Sequence, residues 1–171
     1  MKNILPVGIK ARDESLLDKC SIEIKGNHNC IIIPNITSVK NFLCSDFSYL
    51  IDNKYKHINE EYKCNRDKKL GKVYWNKIID NKETSSFVLL ANIVCYNESK
   101  KYRKINYVAL TSGLMKIKNK ADSIKINEPN INISIKMPLI VKSKTGANWF
   151  FISEILADIY DQNNKLEVYK K

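Results

Sequence analysis

Two short segments concentrate side chains able to handle an anion. The first, Pro34-Asn35-Ile36-Thr37-Ser38-Val39-Lys40-Asn41, sets amides, hydroxyls and an ammonium directly after the apolar run Cys30 to Ile33. The second, Val141-Lys142-Ser143-Lys144-Thr145-Gly146-Ala147-Asn148, leads into a stretch with helical spacing. A helix N-terminus offers unpaired backbone N–H groups to a phosphate, and Lys142 or Lys144 adds charge there. One glycine makes no phosphate-loop fingerprint, and an ordinary strand-to-helix turn capped by Asn148 fits the same residues.

Other chemistries find less support. Cys20, Cys30, Cys44, Cys64 and Cys95 are widely spaced and contain no Cys-x-x-Cys pair. Their odd number, without a secretory signal, points to reduced thiols, and His28 with Cys30 cannot complete a zinc site, so no metal and no cofactor is expected. A nucleophilic cysteine would need His28 or His57 brought to it by the fold, and buried inert thiols are the commoner outcome. Tyr96, Phe150 and Phe151 are able to stack on a base or a sugar, but Phe150 or Phe151 beside Trp149 reads more readily as core packing. Lys100, Lys101, Tyr102, Arg103 and Lys104 form a basic stretch with an aromatic residue, by default a solvated face and otherwise a contact for a nucleic-acid backbone.

The 171 residues carry 29 Lys plus Arg against 18 Asp plus Glu, a formal charge of +11. Only Arg12, Arg66 and Arg103 are arginines, so the charge is lysine, which lacks the planar fork used for base readout. Attraction to phosphates follows; sequence-specific DNA reading does not. The abundance of Lys, Asn and Ile is what an A+T-rich genome produces and accounts for part of the basicity. No apolar run approaches the roughly 20 residues of a membrane span, and residues 1–6 lack a signal-peptide core, so a cytoplasmic protein with no membrane partner is expected.

The elements that must position these loops follow from periodicity. The length suits one domain over residues 1–171, with a core from about 21 to 169 and residues 1–20 as an N-terminal extension. Ser21 to Lys25 alternates as an entering strand, Gly26 to Asn29 turns, and Cys30 to Pro34 forms a buried central strand. Helices are expected from an N-cap at Asp46 and over 57–68, strands over 72–79 and 86–94, and a helix where Tyr107, Leu110, Leu114 and Ile117 recur. Ile131, Ile133 and Ile135 mark a strand running into Met137-Pro138, Trp149, Ile152, Leu156 and Ile159 a last helix, and Leu166 to Tyr169 a closing strand. Alternating strands and helices predict an α/β protein, a three-layer α/β/α sandwich around a central mixed sheet. Ligands of such sheets bind beyond the carboxyl ends of the strands, which directs attention to the two loops.

Met137-Pro138-Leu139-Ile140, an eight-residue loop and Trp149 resemble the C-terminal signature of macrodomains. Ile51-Asp52-Asn53-Lys54-Tyr55, Glu60-Glu61-Tyr62, Leu70-Gly71-Lys72-Val73, Leu90-Ala91-Asn92-Ile93-Val94, Tyr107-Val108-Ala109-Leu110 and Leu166-Glu167-Val168-Tyr169 follow in the family's order. The chain is similar to the subgroup that includes ADP-ribose-1''-phosphate phosphatases and ADP-ribosyl-glutamate hydrolases. The resemblance implies an adenine contact after the first core strand, placed at Gly26-Asn27, and a ribose-facing Asn at the end of the central strand, placed at Asn35. It implies a pocket lined by Asn27, Asn35, Thr37, Ser38, Lys40 and Asn41 on one side and by Val141, Lys142, Ser143, Lys144, Thr145, Gly146, Ala147 and Asn148 on the other.

Both loops depart from the family. Ser38-Val39-Lys40-Asn41-Phe42-Leu43 has no glycine, and in the second loop Val141, Ser143 and Thr145 stand where glycines are usual. Side chains there narrow the approach of backbone amides to a diphosphate. Similar hydrolases use a Lys after the first loop and an Asp in the second, a position near Thr145 here, and no acidic residue lies between Glu128 and Glu154. The resemblance therefore implies a binder of an ADP-ribose-containing nucleotide, metabolite or modified macromolecule, without efficient catalysis; the compact, basic, A+T-rich composition suits a viral or phage protein. Two rivals are an active ADP-ribose-derivative phosphatase or hydrolase, and a macrodomain-shaped scaffold whose basic surface binds RNA, DNA, poly-ADP-ribose or a protein.

Overall fold

The computed structural model describes residues 10–12, 15–100, 104–140, 146–160 and 166–169. Its centre is the strand β2, Asn29–Ser38, buried along nearly its whole length because its apolar side chains serve both faces of the sheet. Five more strands complete the sheet: β1 Lys10–Arg12, β3 Val73–Asn81, β4 Ser86–Tyr96, β5 Asn132–Pro138 and β6 Leu166–Tyr169. The order is β1-β6-β5-β2-β4-β3, with every neighbouring pair parallel except β3 and β4. A mixed sheet with parallel centre results, as the alternation of elements predicts.

Helices cover both faces. Alternate residues of the central strands separate two apolar clusters. Ile31, Ile33, Val88 and Leu90 pack with α1 (Leu16–Glu23), α2 (Asp46–Lys54) and α3 (Lys56–Cys64). Ile32, Ile36, Ala91, Ile93 and Ile135 pack with α4 (Tyr107–Asn127) and α5 (Trp149–Ile159). Leu110, Leu114 and Ile117 lie fully buried at the expected helical spacing. Gly113 lets α4 approach β4, since a Cβ there would lie 2.3 Å from Ile93 Cγ2.

Three expectations change. Ser21 to Lys25 belongs largely to helix α1 and its C-terminal turn, with Ile22 exposed and Leu16, Leu17, Cys20 and Ile24 buried. The spacing i, i+4, i+8 from Leu16 begins outside the five-residue window in which Ile22 and Ile24 alternate. Residues 10–12 and 16–20 are therefore part of the sheet and core and not an extension, since β1 pairs with β6. The N-cap of α2 is Ser45, one residue before Asp46; its hydroxyl accepts from Ser48 N, and the Ser48 hydroxyl accepts from Ser45 N in a capping box.

Pro34 shapes the centre of the sheet. The β2–β5 ladder ends at Ile32, whereas the β2–β4 ladder continues to Ser38. Proline has no N–H with which to extend a ladder, so β2 parts from β5 over its last residues. That divergence falls at the carboxyl ends of both strands, where β4 lies on one side of β2 and β5 on the other. It is the topological switch point of an open α/β sheet.

Candidate functional site

Ser38, Tyr96, Pro138 and Tyr169 end four parallel strands on one edge of the sheet. The first loop is closed on itself. Ser38 Oγ accepts hydrogen bonds from Lys40 N at 3.1 Å and Asn41 N at 2.7 Å, so the amides that a glycine loop aims at a diphosphate are already paired. The Ser38 hydroxyl donates to Glu98 Oε1 at 2.8 Å, and Asn41 Nδ2 donates to the same oxygen at 2.8 Å. Beneath, Tyr62 Oη lies 2.6 Å from Ser38 O and 3.0 Å from Thr37 Oγ1, and the Thr37 hydroxyl donates to Ile93 O. Thr37 is thus fully buried and braces the strand, whereas Val39, Lys40 and Asn41 reach the surface.

Asn35 lies within β2 and not at its end, and it is 1% exposed. Its Nδ2 donates to Asn92 Oδ1, Asn92 Nδ2 donates to Asn76 Oδ1, and Asn76 Nδ2 donates to Glu61 Oε2, each at 2.9 Å. A carboxylate only accepts, so Glu61 sets the direction of every bond in this chain. The cost falls at the inner end, where Asn35 Oδ1 is buried and has no donor among the described residues. Such an orphaned acceptor calls for a water or a ligand hydroxyl.

On the other side of the switch point, α5 begins at the same edge. Asn148 Oδ1 accepts from Phe150 N at 3.0 Å, and Asn148 N donates to Tyr107 Oη at 2.7 Å, tying the starts of α4 and α5 together. Asn148 is exposed, whereas Ala147 is buried in the core below α5 and lines no surface. Gly146 has φ of +64°, a conformation that favours glycine. Val141, Lys142, Ser143, Lys144 and Thr145 lie outside the described residues.

Asn27 is not brought to the site. It sits in the exposed turn before β2, and a ten-residue strand separates it from the first loop by about 30 Å. The residue that follows the first core strand is Asp13, next in sequence after β1, which runs parallel to β6. Phe150 and Phe151 also differ from expectation, at 65% and 54% exposed. Helix α5 turns Ile152 and Leu156 inward, and Phe151 instead packs edge-on against Tyr107 at 5.9 Å between centroids. Glu98 and Tyr62 escaped sequence reasoning because their partners lie 24 to 60 residues away.

Four of the five cysteines are buried, and Cys64 is exposed at the end of α3. Burial pushes Cys20, Cys30 and Cys44 up to about 12, so all three stay protonated at neutral pH. Among the described residues no three His, Cys, Asp or Glu side chains gather as a metal site. None of the described helices is long and apolar enough to cross a membrane.

These features define an open α/β/α sandwich whose central strand parts from β5 toward its carboxyl end while it stays paired with β4. The chain has the macrodomain fold. A Streptomyces coelicolor macrodomain protein matches with a TM-score of 0.66 and 16% identity over 95% of this chain and 99% of that one. A Bacteroides thetaiotaomicron protein of unknown function matches with a TM-score of 0.69 and 18% identity over 95% and 98%. Thermosipho africanus DarTG, solved in complex with ADP-ribose, matches with a TM-score of 0.58 and 12% identity over 82% of this chain and 38% of that one. No family model and no curated protein matches the sequence.

Proposed function

We propose that this protein binds a ligand containing ADP-ribose in the crevice where β2 parts from β5, without efficient turnover. The observation that carries this reading is the orphaned acceptor Asn35 Oδ1 on the central strand, just below the first loop. A ribose hydroxyl is a donor of the right kind. The macrodomain fold and the ADP-ribose complex of the Thermosipho protein support the ligand class. Asp13 replaces Asn27 as the adenine contact, since it follows the first core strand. The diphosphate is held from the second loop, Lys142 to Asn148, and the start of α5, because Ser38 Oγ has taken the amides of the first loop.

The absence of turnover follows from the same residues. Asn35 and Asn148 position groups but accept no proton at neutral pH, and Glu98 Oε1 is held by Ser38 and Asn41. Titration calorimetry with ADP-ribose tests the reading, with release of phosphate from ADP-ribose-1''-phosphate followed in parallel. Saturable heat without release is expected. No heat and no thermal shift overturns the ligand class, and release that is lost in Asn35→Ala replaces binding with hydrolysis.

One observation favours a second reading. Phe150 and Phe151 stand exposed, their rings 6.0 Å apart, on a chain of net charge +11. Exposed rings on a lysine-rich protein suit stacked bases of a nucleic acid or poly-ADP-ribose. A salt series on a single-stranded oligonucleotide separates the two, since this reading needs a log K against log salt slope of several units and its loss in Phe150→Ala.

A further inference from the structure

We propose that Glu98 acts as the anion of the first loop and so sets the charge of the ligands that the crevice accepts; this rests on the ADP-ribose reading above. The loop is built like a small anion site. Two consecutive amides, Lys40 N and Asn41 N, converge on Ser38 Oγ, whose own proton goes to Glu98 Oε1 at 2.8 Å. The Asn41 amide group adds a second donor to that oxygen. Hydrogen bonds to an ionised acceptor are the strong ones, and a chain of donors ending on a carboxylate polarises toward it. The donors of Ser38 and Asn41 thus end on a carboxylate belonging to the protein itself.

The position of Glu98 is fixed by the sheet. Ser38 pairs with Tyr96 in the parallel β2–β4 ladder, so the segments leaving β2 and β4 emerge side by side. Asn97 N donates to Lys104 O at 2.6 Å, and Asn97 Oδ1 accepts from Ser99 N and Ser99 Oγ, which closes the turn that carries Glu98. A phosphate approaching the first loop meets a carboxylate already seated and no free amide from Lys40 or Asn41. Ligands that place hydroxyls there are accepted, and ligands that place phosphates there are disfavoured by like charge.

Glu98→Gln isolates the charge, because the amide oxygen still accepts from Ser38 and Asn41. Calorimetry on the whole chain compares wild type and E98Q with ADP-ribose, pyrophosphate and adenosine at low and high salt, with melting curves to establish folding. E98Q is expected to bind ADP-ribose and pyrophosphate about threefold to tenfold more tightly at low salt, the size of one charge in a partly solvated loop. That gain shrinks at high salt, and adenosine binds both proteins alike. Unchanged or weaker binding of both anions by folded E98Q overturns the proposal, as does an equal gain for adenosine. If ADP-ribose binds neither protein while pyrophosphate binds E98Q more tightly, the ligand reading fails and the role of Glu98 stands.

Discussion

The two faces of the central sheet are built on different terms. Toward α4 and α5 the strands present Ile32, Ile36, Ala91, Ile93, Cys95, Ile135 and Met137, an apolar surface closed by Leu110, Leu114, Ile152 and Leu156. Toward α1, α2 and α3 the same strands present Asn35, Thr37, Asn92 and Lys136 among the apolar residues, all at least nine-tenths buried. Burial of apolar area stabilises the first face without direction. On the second face each polar group needs a particular partner, and these partners fix how β2, β4 and β3 align with α3, and how β5 and β6 align with α1. A one-residue slip of β2 would bury Asn35 and Thr37 in the apolar layer. The candidate site inherits its geometry from the face with the stricter requirements.

The strongest way to break that contrast is at Lys136, which is 2% exposed on β5. Its ammonium donates to Glu23 Oε1 at 3.0 Å, Glu167 Oε2 at 2.7 Å and Tyr169 Oη at 3.3 Å. Burial works to lower the ammonium's pKa, yet hydrogen bonds to Glu167 and Glu23 outweigh it and hold the group above its ordinary value. Removing one partner of a buried ion cluster leaves the others uncompensated, so Lys136→Ala is expected to cost about 3–5 kcal/mol in urea unfolding. A loss under 1 kcal/mol would make the cluster incidental and the two faces equivalent.

The apolar face is tested at Gly113. A methyl group there meets the branched Cγ2 of Ile93 at 2.3 Å, inside a layer whose members are fully buried. Gly113→Ala gains about 1 kcal/mol of helix propensity but forces α4 away from β4, for a net cost of about 2 kcal/mol. The pair Gly113→Ala with Ile93→Val should recover part of the loss, since Val removes bulk at the clash. Stability of Gly113→Ala at or above the wild type would show that the layer is looser than its distances.

Alkaline pH should act on both faces alike and so sharpens what is particular to one. Cys30 lies in the α4/α5 cluster and Cys20 in the α1–α3 cluster, and desolvation raises both thiols from 9.0 to about 12. A raised folded value means that the protonated thiol's contribution is complete below the unfolded pKa of 9 and is lost as pH rises toward 12. Each unit of pH in that window should remove about 1.4 kcal/mol per thiol, and Cys30→Ala or Cys20→Ala should each flatten the decline by that amount. Unfolding midpoints between pH 8 and pH 11 give the slope, and a slope that neither substitution changes would show that other groups carry it.

What was legible in the sequence tracks how local each signal is. β2, β4, α4 and α5 declare themselves through runs or spacings of many residues, and the loops after β2 and β5 follow from them. β1 has three residues and no period, and without it Ser21 to Lys25 reads as the first strand. That single misreading puts the expected adenine contact at Asn27, in the turn before β2 and at the opposite end of that strand from the first loop. The closure of the first loop is not local either. Glu98 reaches it only because β2 and β4 lie side by side, a pairing that no spacing within residues 34–41 encodes.

The finest test of the contrast is the row of amides from Asn35 to Glu61. Asn92 is the middle link, fully buried, accepting from Asn35 and donating to Asn76. Asn92→Ala should cost about 2 kcal/mol, because it strands Asn35 Nδ2 in the interior. In Asn35→Ala the orphaned Oδ1 is also removed, which returns part of what the lost bond costs, so this change should be milder than Asn92→Ala although both break one shared bond. A double-mutant cycle of the two should show coupling of about 1 kcal/mol. Glu61→Ala, at the exposed end, should change stability by under about 0.5 kcal/mol. If Glu61→Ala instead approaches the cost of Asn92→Ala, the carboxylate orients the whole row, and the direction of the buried Asn35 amide is set from the surface of α3.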